Sequence, residues 1–195
     1  MRKRDVLIAL GIGEMTAWYF VLLFWSLAPK IIWLLLVVFP ILAVFCLWLA
    51  YLIGKKFLFI FQGAKFLLTG VLAALVDFGI LNFLIFISGF ASGFFFSVFK
   101  GISFIFAFCG KYVGDKFWAF EKRETDEISK EFFKFFIVTL GGLLINVAVA
   151  SLIVNKIQPQ FGLSENIWAN IGAIAAAFAT VVWNFPGYKF FVFRK

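Results

Sequence analysis

A handful of residues carry the chemistry this chain can offer, and they stand where chemistry is expensive. Glu14, Asp77, Lys100 and Lys111 interrupt long apolar runs, as do the neutral Asn82, Asn146, Asn170 and Asn184. A charge at the centre of a bilayer costs about 2.5–3.5 kcal/mol on insertion scales, so each such residue needs a partner or a task. Asp77 lies about eleven residues from either end of its run, which at about 1.5 Å per residue is near the midplane. Gly70, Ala73, Ala74 and Asp77 share one helix face, and Thr139, Gly142 and Asn146 share another. A third stripe is Lys100, Ser103, Ala107, Lys111 and Gly114. A fourth is Asn166, Asn170, Ala173, Ala177, Thr180, Asn184 and Gly187. Small residues let helices approach closely, so the polar residues point at neighbouring helices. Such stripes can bind a polar substrate or simply pack helices through a few hydrogen bonds. Asp77 pairing with Lys100 or Lys111 is the natural ionic arrangement. The two lysines can also snorkel, Lys100 outward and Lys111 inward.

Other chemistry is missing from the chain. It has no histidine, which removes imidazole bases and His-metal sites. Its two cysteines, Cys46 and Cys109, are isolated in apolar runs and read as small hydrophobes, with no metal site and no cofactor expected. No GxxxxGK[ST] loop is present to cradle a nucleotide phosphate. The protein is therefore not expected to be an enzyme, although a mechanism using only the carboxylates of Asp77 or Glu14 stays open.

The elements that hold these residues are membrane spans. Of 195 residues, 64% are hydrophobic and 14% charged, and the mean hydropathy is +1.05. Soluble domains run about 45–50% apolar and about 25% charged. The fold class expected is an all-α polytopic membrane protein of about six transmembrane helices. The apolar runs are 6–27, 31–53 (with Pro40 as a kink), from about 57 or 66 to about 88, about 94–113, about 135–154 and about 167–185. A short turn at 89–93 and a strongly charged stretch at 115–134 lie between them. Arg2, Lys3 and Arg4 ahead of the first run resemble a signal-peptide start, but the run is too long and lacks a clear cleavage site, so it reads as a retained helix. With six spans, fourteen of the 18 Lys and Arg fall on the side of the termini, Lys30 and Lys156 on the other, and Lys100 and Lys111 within the fourth span. The positive-inside rule then puts both termini in the cytoplasm of a multi-pass protein in the cell's inner or plasma membrane. The net charge of +8 is this basic rim facing anionic lipids, and nucleic acid is not an expected partner.

The last four spans repeat. Ala64-Lys65-Phe66-Leu67 opens the third and Phe133-Lys134-Phe135-Phe136 the fifth, 69 residues apart, a shift that puts Asp77 on Asn146. The segment from Lys111 to Phe120 closes the fourth and the one from Asn184 to Phe193 the sixth, 73 apart. The extra four residues fall in the turn around Pro159 and Gly162. Two spans per copy make the repeats parallel, related by an axis along the membrane normal. The domains expected are an N-terminal hairpin, 1–56, and a four-helix domain, 57–195, with repeats at about 57–120 and 131–193. Pro186, with Asn184 and Gly187 beside it, is expected to break the last turn and expose a helix end. Lys65, Lys116, Lys134 and Lys189 recur at matched positions and form a basic ring, by plain anchoring or by holding a lipid phosphate.

A hairpin that opens on an aromatic Lys-Phe segment and closes on Lys116-Phe117-Trp118-Ala119-Phe120 or Lys189-Phe190-Phe191-Val192-Phe193 resembles the GtrA-like family. The resemblance covers about 57–195. Asp115 stands where the family usually has Asn, Asn184-Phe185 resembles the family's Asn-Phe pair, and residues 1–53 are an addition to its usual four spans or an unusual N-terminus. The resemblance implies a flippase-like translocase for a polyprenyl-phosphate-linked sugar in cell-envelope polysaccharide synthesis. On that reading Lys111, Lys116 and Lys189 hold the phosphate. Asp77, Asn146 and Asn184 bond sugar hydroxyls, with Lys100 in the same seam, while the lipid tail and membrane lipids lie against the Phe-rich surface. One alternative is a non-catalytic anchor or accessory subunit for a glycosyltransferase partner docked on the 115–134 stretch. Another is a small proton-coupled exporter centred on Glu14. The sequence leaves a homo-oligomer open.

Overall fold

The computed structural model describes residues 1–24, 32–90, 93–124, 127–157, 159–160 and 165–194. Lys30, the turn residues Ala91, Ser92 and Gly162, and the side chains of Asn166, Asn170 and Ala173 lie outside the described residues. Those described form an all-α protein. Its helices are α1 (Lys3–Phe24), α2 (Leu35–Gly54), α3 (Leu58–Ser88), α4 (Gly93–Gly114), α5 (Ile128–Ser151) and α6 (Glu165–Pro186). Among the described residues α1, α2, α3 and α5 are each long and apolar enough to cross a membrane. α4 and α6 have 22 residues each, about 33 Å at helical rise and so also long enough for the hydrocarbon core. Phe86, Phe94 and Leu22 are 86%, 79% and 77% exposed. So broad an apolar surface needs lipid around it.

By packing, the chain divides into two units, Met1–Glu121 and Lys122–Lys195. In the first, α1 pairs with α2, and both meet α3, which pairs with α4. The N-terminal hairpin thus belongs to the same unit as the first repeat. Its close approach depends on Gly13: a Cβ there would lie 2.5 Å from Pro40 Cα. Pro40, buried within α2, is the contact point of the two helices. Ala9, Ile12, Leu47 and Trp118 form the unit's small core, with Phe61 and Leu68 packed on it. α3 ends at Gly89, whose φ of 75° closes the helix in the left-handed conformation that glycine adopts without strain. In the second unit α5 pairs with α6.

Neither repeat ends in a plain α-turn. α4 runs on into a π-helical turn at Asp115–Ala119, and α6 into another at Gly187–Val192. Pro186 does not break its helix. The first copy widens in the same way with Val113 at the matched position, so the widening does not depend on the proline. What the two share is an aromatic closure. Phe120 N donates to Asp115 O at 2.9 Å, and Phe193 N to Tyr188 O at 2.7 Å. Phe66 packs on Phe120 with ring centroids 6.4 Å apart, and Phe135 on Phe193 at 6.1 Å. Gly114 abuts Thr69, and Gly187 abuts Val138. Every one of these contacts recurs at the shifts of 69 and 73. The stretch from 115 is thus folded rather than looped: Asp115, Lys116, Trp118, Ala119 and Phe120 are buried, and α5 already begins at Ile128.

Candidate functional site

Two polar clusters lie between α3 and α4. The first joins Asp77, eleven residues before the end of α3, to Lys100, seven residues into α4. Asp77 accepts hydrogen bonds from the Lys100 ammonium and, at 2.6 Å, from Ser103 Oγ. The helices bring them together because Asp77 lies on the small-residue face and Lys100 and Ser103 lie one turn apart on the facing stripe. Ser103 is fully buried, but the Lys100 side chain is 42% exposed and that of Asp77 17% exposed. Lys100 also lies 5.8 Å from the Phe78 ring centroid. This ion pair is therefore open on one side, with donors and an acceptor still available to a polar ligand.

The second cluster is closed. Lys111 Nζ bonds Asp115 Oδ1 and Oδ2 at 2.8 and 2.7 Å, Thr69 Oγ1 at 2.9 Å and Phe66 O at 3.1 Å. It also sits 3.7 Å from the Phe66 ring centroid. Asp115 is fully buried and is bonded by the Thr69 hydroxyl as well. The ammonium's capacity is thus met inside the chain. Lys116 is likewise buried, with Tyr112 and Phe117 rings 5.9 and 5.8 Å from its Nζ.

A third group of charges ties the N-terminus down. Lys65, buried, lies 3.1 Å from Asp5 Oδ1 and 3.0 Å from Glu121 Oε1. Trp118 Nε1 donates to Asp5 Oδ1 at 3.0 Å, and Arg2 pairs with Glu121 at 3.0 Å. Burial alone would raise the Glu121 carboxyl. The hydrogen bond and charge of Lys65, with the charge of Arg2, outweigh it and hold the group below its usual range.

The second unit is built the same way with neutral residues. Asn146 donates to Thr180 Oγ1 at 3.2 Å, and Thr180 in turn bonds Ala176 O and lies 3.3 Å from Gly142 O. Thr139 Oγ1 and Tyr188 OH are 2.6 Å apart. At the shift of 73, Tyr188 replaces Asp115 and Asn184 replaces Lys111. Asn184 Oδ1 is buried without a hydrogen-bond partner among the described residues. Lys189 is half-buried between the Phe185 and Phe190 rings, and burial lowers its pKa from the ordinary value.

The structure thus brings Asp77 to Lys100, leaves Lys111 with Asp115, and groups Asn146 with Thr180. Asn184 packs on Gly142, beside the Asn146–Thr180 pair, while Lys116 and Lys189 lie in the π-helical turns that follow α4 and α6. Sequence reasoning passes over Asp115 and Thr69 as site residues. The spacing of Lys111 and Asp115, four apart on one helix, is the signal that names the first. Asp5 and Glu121 carry no such signal, being 60 and 56 residues from Lys65. Glu14 is half-buried and has no polar partner among the described residues. The described residues contain no group of metal-ligating side chains.

An all-α membrane protein with polar groups paired across tight hairpins is the class that fold and site define. Residues 65–193, two thirds of the chain, match the family described as GtrA/DPMS, transmembrane domain, and the chain belongs to that family. Membership ties it to polyprenyl-phosphate sugar processing. Comparison with curated proteins and with solved structures gives no significant match.

Proposed function

We propose that the protein moves a polyprenyl-phosphate-linked sugar across the membrane in cell-envelope polysaccharide synthesis, without covalent chemistry. The observation that carries this reading is the open ion pair of Asp77 and Lys100 between two membrane-length helices. A charge pair left half-exposed in the membrane is costly unless something polar passes it. Sugar hydroxyls both donate and accept, so they can exchange with the bonds of Lys100, Asp77 and Ser103 at little net cost. Asn146 and Thr180 offer the same exchange without charge in the second unit. The lipid tail stays outside against the apolar helix faces. The basic residues around the termini favour a cytoplasmic N- and C-terminus in the inner or plasma membrane.

The test is a sided transfer assay with lipid-linked sugar in proteoliposomes. Lys100→Met and Asp77→Asn should each slow transfer by about tenfold or more, the loss of one charge-assisted hydrogen bond. Unchanged rates would remove this pair from the path. If the wild type moves no lipid alone but co-purifies with a glycosyltransferase, the accessory-subunit reading takes its place.

A further inference from the structure

The two repeats treat one equivalent position in opposite ways. In the first, Lys65 faces the Trp118 ring at 6.0 Å, and two carboxylates close over it, Asp5 of α1 and Glu121. At the shifts of 69 and 73, Lys65 becomes Lys134, Trp118 becomes Phe191 and Glu121 becomes Arg194. Lys134 Nζ again faces its aromatic ring, at 5.4 Å from Phe191. No N-terminal hairpin precedes the second repeat to supply an Asp5, and the second carboxylate is a guanidinium. In place of the two carboxylates stands a cavity of about 620 Å³ lined by Lys134, Arg194, Lys122, Lys130, Phe190 and Phe191, among others.

Two of the carboxylates around the cavity are paired with other lysines, and the charge of Lys134 also reaches Glu127. Glu131 is 2.6 Å from Lys122 and Glu127 is 2.5 Å from Lys130. Glu124 also lines the wall. Lys134 and Arg194 have no ion-pair partner among the described residues.

We infer that this cavity is a binding site for a phosphate ester, at the position where the first repeat holds its own carboxylates. Asp5 shows what the position accepts: an anionic oxygen against a lysine, held there also by the Trp118 indole N–H, a donor whose place Phe191 leaves to Arg194. Arg194 adds a planar fork that suits phosphate oxygens. The volume lies in the range of small-molecule sites and leaves room for a sugar beside the phosphate. The paired Glu127 and Glu131 can accept from sugar hydroxyls, and Phe190 and Phe191 offer apolar faces. The site's phosphate chemistry rests on this geometry; that the phosphate belongs to a lipid-linked sugar rests on the translocase reading.

The experiment is equilibrium binding to the full chain in nanodiscs of zwitterionic lipid, with inorganic phosphate in one arm and farnesyl phosphate in the other. Lys134→Gln and Arg194→Gln should each weaken binding by about tenfold or more. Arg194→Glu rebuilds the Glu121 arrangement, so it should abolish binding while the melting temperature holds. The exposed Lys3→Gln is the control. Binding of both probes places the recognition in the phosphate, and binding of farnesyl phosphate alone adds the isoprenoid chain. No binding of either probe, or equal binding by Arg194→Glu and Lys3→Gln, overturns the site. Transfer assays separate the two readings. Phosphate binding that Lys134→Gln removes, together with a wild type that moves no lipid, sinks translocation and leaves the site. Normal transfer without phosphate binding does the reverse.

Discussion

Lys111 Nζ lies 2.7 Å from Asp115 Oδ2, four residues further along the chain, and Thr69 from α3 completes the enclosure. The lysine that looks best placed from the sequence to hold a phosphate has its charge matched inside the protein. Removing one partner of a buried pair leaves the other charge uncompensated, at about 3–5 kcal/mol. Asp115→Asn should therefore lower the melting temperature sharply, whereas Lys111→Met with Asp115→Leu should recover most of it. Equal losses in the single and double variants would show that the two do not act as a unit.

Asp77 and Lys100 need a different experiment, because their pair is open. Reversing the charges together, Asp77→Lys with Lys100→Asp, keeps the pair and should restore part of the transfer that either single change removes. Ser103→Ala takes away one buried hydrogen bond to Asp77, about 1 kcal/mol of stability. Transfer by the double variant no better than by the singles would mean that the residues act separately.

Glu121 sets a pH dependence. Its carboxyl is held below the usual value of 4.5 in the folded protein, so the stability it contributes is fully present above that value. It is lost as the pH falls through the lower folded value. The group is partly exposed, so solvent screening keeps the effect to about 1 kcal/mol. Melting curves of wild type and Glu121→Gln should differ at pH 7 and converge below pH 4.5. A constant difference across that window would contradict the Lys65–Glu121 pair.

Two glycines of α1 separate packing from propensity. A Cβ on Gly13 would meet Pro40 Cα at 2.5 Å and Phe39 O at 2.8 Å, and backbone cannot move aside cheaply. Gly13→Ala should destabilise by about 1–3 kcal/mol. A methyl group on Gly11 would meet nothing within 4 Å, so Gly11→Ala should be neutral or slightly stabilising. Thermal melting of the two variants checks the contrast.

Glu14→Gln should leave lipid transfer unchanged, since Glu14 touches none of the three clusters. A transfer rate that falls with this variant, or loss of proton-coupled export in a resistance assay, would bring the exporter reading forward.

The sequence alone determined the environment and the repeat. Apolar runs of span length and a basic excess at their ends follow from the cost of burying backbone and charge in lipid, which acts on each segment independently. The shifts of 69 and 73 follow from residue identity alone, and the Phe66–Phe120 and Phe135–Phe193 contacts obey them. Asp77 with Lys100 was within reach because each lies on a small-residue face of adjacent spans. Only the tertiary structure decided the rest. Whether Lys111 turned to Asp77 or Asp115 depended on helix rotation, which interdigitation of α3 and α4 sets and no local pattern encodes. The burial of Asp115 and Lys116 depended on a π-helical turn driven by aromatic packing across the hairpin. Lys65 found Asp5 because an unrepeated hairpin folds back on the first repeat, and that long-range contact leaves Lys134 as the open member of the pair.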